Sequence, residues 1–221
     1  KVPLVYLQNS GLGNIINPLL SLADPEVYSV PLLLVIGWRG EPGVHDEPQH
    51  KKQGRVMLSM LEAMEIPHST LGPEIVDPQA ALMDALAYVR KMSAPYALVI
   101  KKGTFQSFAA PKVEKTEFPL SREEAIQQVI ESLGERDVLI STTGMPSREV
   151  YEYRSKRGEG HQRDFLTVGG MGHASQIALG IALQKPGRPV YCLDGDGALL
   201  MHMGALAITG ALKPRNFKHI I

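Results

Sequence analysis

Val190-Tyr191-Cys192-Leu193 is a short, partly β-branched apolar run that passes without a break into Asp194-Gly195-Asp196-Gly197. An apolar run of that length bounded by a glycine turn reads as a central parallel strand covered on both faces. Gly195 and Gly197 let the backbone turn sharply and approach a ligand without a Cβ in the way. Apolar residues at helical spacing from Met201 to Leu212 predict that the turn opens a helix, whose first N–H groups face an anion. A carboxylate beside an anion needs a cation between them, and a hard divalent ion such as Mg2+, held by Asp196, supplies one.

Three chemistries compete for this turn on its residues alone. The nucleophile loop of a haloacid dehalogenase-type phosphatase has the same D-x-D-G form but continues with Thr or Val, where this chain has Ala198. A calcium loop would need later ligands, and a strand does not normally precede one. The third is an ordinary strand-to-helix turn. The rest of the chain bears on the choice, because the same pattern recurs.

Val2 to Leu7 predicts a strand that ends in Asn9-Ser10-Gly11-Leu12-Gly13-Asn14, followed by helical spacing from Ile15 to Ala23. Pro31 to Ile36 predicts a second strand, ending in Gly37-Trp38-Arg39-Gly40. The next loop, His45-Asp46-Glu47-Pro48-Gln49-His50, is the densest cluster of ionisable and hydrogen-bonding groups in the chain. It is read either as a solvated loop or as a site that binds a polar substrate or moves protons. Two histidines five apart around a proline do not share a helix face, so a zinc site of the H-E-x-x-H kind is not expected. An amphipathic helix follows from Lys52 to Met64, with Val56, Met60 and Met64 spaced by four and Leu58 and Leu61 beside them. Pro78 to Lys91 predicts a helix and Pro95 to Lys101 a strand. Periodicity then fails, and Pro111, Lys112, Lys115 and Pro119 mark a linker over 104–120.

Beyond it, Ser121-Arg122-Glu123-Glu124 has the form of a capping box that opens a helix to Leu133. Asp137 to Ser141 predicts a strand ending in Thr142-Thr143-Gly144. Arg148, Arg154, Lys156, Arg157, His161 and Arg163 are expected on a solvated helix and loop. Phe165 to Val168 predicts a short strand leading into Gly169-Gly170-Met171-Gly172-His173, with a small-residue helix from Ile177 to Leu183. The fold class expected is therefore α/β, two parallel-sheet domains with helices on both faces.

Composition closes off several functions. The 23 basic and 23 acidic residues balance, so no electrostatic footprint for nucleic acid or an anionic membrane is present. The sequence holds no membrane-length apolar run and no signal-peptide pattern. Its single cysteine, Cys192, excludes an internal disulfide framework, reads as a packing residue and fits a reducing, cytoplasmic setting.

Taken in order, the Asn9–Asn14 turn, Gly37–Gly40, the His45–His50 cluster, Thr142-Thr143-Gly144, Gly169–His173 and Gly195-Asp196-Gly197 resemble the thiamine diphosphate-dependent decarboxylases. Within them the resemblance is to the branch that acts on phosphonopyruvate and sulfopyruvate. It implies a pyrimidine-binding domain over 1–103 and a diphosphate-binding domain over 121–221. It implies thiamine diphosphate and Mg2+ as cofactors, a small 2-oxo acid as substrate, and a homo-oligomer with the cofactor at the subunit interface. Asp196 would hold the metal, and the N–H groups of Gly197 and Ala198 the diphosphate. Met171 would lie under the thiazolium ring, the Gly169 carbonyl would accept from the 4′-amino group, and Gly144, Gly170 and Gly195 would complete the cofactor's surroundings. His45, Asp46, Gln49 and His50 would serve the substrate, with Arg148 and Arg163 as weaker candidates from the second domain.

The reaction implied is 3-phosphonopyruvate to phosphonoacetaldehyde and CO2. Sulfopyruvate or another 2-oxo acid is the alternative, and a non-catalytic interaction module of the same fold the alternative of another class. The family's activating glutamate would lie before Lys1 and its second metal ligand, an Asn, after Ile221. The chain is therefore expected to be an internal fragment, inactive alone.

Overall fold

The computed structural model describes residues 1–109 and 117–221. The chain divides into two units, Lys1–Pro111 and Lys112–Ile221. Pro111, Lys112 and Lys115 of the expected linker lie outside the described residues.

In the first unit the strands are β1 (Leu4–Gln8), β2 (Leu32–Gly37), β3 (His68–Leu71) and β4 (Pro95–Ile100), all parallel, in the order β1-β2-β4-β3. Alternate side chains of β2 enter two cores. Leu34 and Ile36 pack with Leu12 of α1 (Leu12–Pro18) and with Met57 and Leu61 of α2 (Pro48–Ala63). Leu33 packs on the other face with Ala85 of α3 (Pro78–Met92). A parallel sheet covered on both faces needs near-continuous apolar strands, and β2 and β4 have them.

Leu61 and Met64 of the expected apolar set are buried, while the rest of the buried face of α2 is shifted from it. That face runs through Gly54, Met57 and Leu61, with Val56 and Met60 only half-buried. The reason is a backbone contact: a Cβ at Gly54 would stand 2.0 Å from the Gly40 carbonyl oxygen, and one at Gly40 would stand 2.1 Å from that of His50. Gly40 has φ +69°, the left-handed region that glycine tolerates. The loop after β2 is thus pressed directly onto the helix. Trp38 Nε1 donates to the Gly54 carbonyl at 2.9 Å at the same crossing.

The second unit holds β5 (Val138–Ser141), β6 (Asp164–Leu166), β7 (Val190–Leu193) and β8 (Phe217–Ile220), again parallel, in the order β6-β5-β7-β8. Val190 and Cys192 face α6 (Ala174–Gln184), whose Ala174, Ala178 and Ala182 let it lie close to the sheet. Burial pushes the Cys192 thiol well above its ordinary range, with Asp194 adding to the effect, in keeping with a packing residue. Leu139 and Leu193 face α4 (Arg122–Ser132) and α5 (Met145–Lys156). The capping box forms as its sequence predicts: Ser121 Oγ accepts from Glu124 N–H, and Glu124 Oε2 accepts from Ser121 N–H.

Two expectations fail in this unit. The basic segment is not uniformly solvated. Arg154 is 4% exposed and its Nε lies 2.8 Å from Asp164 Oδ2, itself 1% exposed, because α5 folds back over β6 and its cation needs a buried counter-charge. The single helix expected after Asp196 is two: α7 (Asp196–Met201) and α8 (Ala205–Leu212), separated at residues 202–204. His202 turns there to pack against His173, with ring centroids 4.4 Å apart.

Candidate cofactor and substrate sites

In the second unit the chain leaves β5 for β6 at one side and leaves β7 for β8 at the other, although β5 and β7 are neighbours. Connections that diverge in this way open a crevice at the carboxyl ends of the two strands, where α/β sheets bind ligands. The strand ends are laced together. Thr142 N–H donates to the Leu193 carbonyl at 2.8 Å, and Thr143 Oγ1 donates to the Val168 carbonyl at 2.6 Å. Gly144, the residue before α5, has φ +96°.

The turns after β6 and β7 meet. Gly170 and Gly172 both have positive φ. A Cβ at Gly172 would stand 3.0 Å from the Ala198 carbonyl oxygen, and one at Gly197 would stand 3.0 Å from Met171 Cε. Met171 is 42% exposed, so its thioether presents an apolar surface beside the turn. Asp194 and Asp196 have different duties. Asp194 is buried; one oxygen accepts from Gly195 N–H at 3.0 Å and the other meets His219 Nε2 at 3.0 Å. Asp196 is exposed; Oδ1 accepts from Gly197 N–H at 2.7 Å, and Oδ2 has no protein partner among the described residues.

These residues fit a diphosphate with a hard cation. A free carboxylate oxygen stands beside glycines whose Cβ positions are already crowded. The buried Thr142 Oγ1, 4% exposed as a residue, lacks a hydrogen-bond partner under the same turn. The structure thus brings Met171 and Gly172 against Gly197 and Ala198. It adds a place for Thr142, which the sequence offered only as part of the Thr142-Thr143-Gly144 motif at a strand end.

In the first unit a cavity of about 660 Å3 opens at the carboxyl ends of β1, β2 and β4. His45 and Asp46 line it; Gln49 and His50 do not, being in the first turn of α2. Gln49 Oε1 and His50 Nδ1 are buried there without a hydrogen-bond partner among the described residues. Asp46 is fully engaged: it takes Arg39 Nε and Nη2 at 2.8 and 2.6 Å and the N–H groups of Gly40 and Glu47, each at 2.7 Å. The Arg39 guanidinium holds its carboxyl far below the usual carboxylate range. Sequence reasoning missed Lys101 and Lys102 on the same wall. Their signal was position, since β4 ends beside β2 and delivers its next two residues to the same edge.

Residues 142–221 of the chain match the family described as thiamine pyrophosphate enzyme, C-terminal TPP binding domain. More particularly, the chain is similar to phosphonopyruvate decarboxylase of Streptomyces viridochromogenes, 33% identical over 229 residues that take in 97% of this chain and 56% of that protein. It is likewise similar to phosphonopyruvate decarboxylase of Streptomyces hygroscopicus, 34% identical over 230 residues, with 97% and 55% covered. Sulfopyruvate decarboxylase subunit beta of Methanocaldococcus jannaschii is 36% identical over 100 residues, 45% of this chain and 50% of that one. The chain spans about half the length of the curated relatives that match it.

Proposed function

We propose that the protein decarboxylates 3-phosphonopyruvate to phosphonoacetaldehyde and CO2 with thiamine diphosphate and Mg2+. The observation that carries this reading is the meeting of the Gly169–His173 and Asp194–Ala198 turns at the divergence of β5 and β7. Asp196 Oδ2 would hold the cation, with Gly197 and Ala198 N–H groups toward the diphosphate. Met171 would support the cofactor ring and Gly169 would accept from its amino group. What the bound cofactor supplies is an electron sink for the pair released as CO2 leaves. The chain's own work is to fix that sink, direct Asp196 toward the metal and bind the substrate.

In this reading residues 1–103 serve the pyrimidine and the substrate, 104–120 link, and 121–221 serve the diphosphate. The working enzyme is a homo-oligomer in a reducing, cytoplasmic setting. No helix among the described residues is long and apolar enough to cross a membrane. Sulfopyruvate is the second reading, supported by the similarity to a sulfopyruvate decarboxylase subunit. The test is CO2 release by the full-length protein from phosphonopyruvate, sulfopyruvate and pyruvate, each with and without Mg2+ and thiamine diphosphate. Cofactor-dependent turnover fastest on phosphonopyruvate is expected. Turnover of sulfopyruvate alone would select the second reading, and none on any 2-oxo acid would reject both.

A further inference from the structure

Five charged residues line the cavity of the first unit: Arg39, Lys101 and Lys102 against Glu41 and Asp46. Four of the five are matched among themselves. Arg39 is bidentate to Asp46, and Lys101 Nζ lies 3.4 Å from Glu41 and 3.5 Å from Glu74. Glu74 and Glu41 raise the affinity of Lys101 for its proton, so this ammonium is already compensated. Lys102 has no ionic or hydrogen-bonded partner among the described residues, and neither has His45 on the same wall. Lys102 is thus the one cation of this lining without a carboxylate of its own among the described residues, and the His45 imidazole belongs to the same lining.

Tyr6, Trp38, Val44 and Ile100 add an apolar part to the lining. Such a wall suits a ligand with a short carbon chain and a charged end. We propose that Lys102, with His45, binds the anionic tail of the substrate in this cavity, a tetrahedral group with three oxygens. This rests on the decarboxylase reading and assigns its tail-binding residues. A compact ammonium on a flexible stem can follow a phosphonate or sulfonate as a point charge. A charge-assisted hydrogen bond to such an oxygen is among the stronger ones available to a protein.

The test separates binding from turnover. Calorimetry on the full-length protein without cofactor uses 3-phosphonopropanoate, which lacks the 2-oxo group and cannot react. Saturable binding is expected, weakened about tenfold in Lys102→Met, the loss of one hydrogen bond to a charged group. Lys102→Arg should retain most of it. Lys52→Met, the same charge change on the exposed face of α2, should leave it unchanged. In turnover, Lys102→Met should raise KM for phosphonopyruvate and leave KM for pyruvate, which has no tail, unaltered. Absence of saturable binding, an equal effect of Lys52→Met, or an equal rise of KM for both substrates would overturn the assignment. Probe binding that depends on Lys102 in a protein without decarboxylase activity would keep the site and reject the reaction.

Discussion

Asp46 receives four hydrogen bonds and is mostly buried, its side chain 12% exposed, so it acts as the clamp that shapes the cavity wall. Because its folded pKa lies below its unfolded one, its contribution is fully present above the ordinary carboxyl range near pH 4 and is lost as pH falls from there. Asp46→Asn should therefore cost about 2 kcal/mol at pH 7, and its urea midpoint should converge on that of the parent as the pH is lowered towards 2. A constant gap across that range would show that the ion pair is not the source. Asp196 presents the opposite case. It is exposed, so Asp196→Ala should leave the melting temperature of the cofactor-free protein within the small range of surface substitutions. Calorimetry should show loss of Mg2+-dependent thiamine diphosphate binding; tight binding retained by the variant would remove Asp196 from the metal. The His45–His50 cluster was legible as a place in the chain. Which of its members face the cavity was not, because Pro48 starts α2 and turns Gln49 and His50 into the helix. His45→Ala should reduce turnover of phosphonopyruvate more than it reduces cofactor affinity, and equal kinetics would return it to the surface.

Where α2 crosses the loop after β2, two backbones touch. Glycine inside a helix ordinarily costs about 1 kcal/mol relative to alanine. Gly54→Ala should reverse that sign and destabilise by roughly 1–3 kcal/mol, since the new methyl would stand against the backbone carbonyls of Gly40 and Arg39. A denaturation midpoint equal to or above the parent's would mean that the crossing is looser than described. The apolar strands β2, β4 and β7 were readable because burial on both faces demands uninterrupted apolar runs. Those missed were β3, which is His68-Ser69-Thr70-Leu71 and pairs only with β4, and β8, which carries Lys218 and His219 and pairs only with β7. Among the described residues both are edge strands, where burial and therefore pattern are weaker. The break between α7 and α8 was invisible for another reason: Met201–Leu212 keeps helical spacing, and only the packing of His202 on His173 interrupts it.

Taken as a whole, the chain carries 23 positive and 23 negative residues and has a sequence pI of about 7.2. Without net charge, molecules that expose apolar side chains have little to keep them apart. Leu200, Leu206, Ile208 and Leu212 of α7 and α8 are among those exposed. Light scattering of the chain should peak near pH 7 and fall on moving to pH 9; a minimum at pH 7 would contradict this. Trp38, the one indole in these 221 residues, ties the β2 loop to α2 through Gly54 and forms part of the cavity wall. Its emission is therefore a built-in optical signal for one place in the molecule. Excited at the red edge of indole absorption, the chain should change intensity or colour when the cavity fills. It should shift to longer wavelength when α2 separates from the loop.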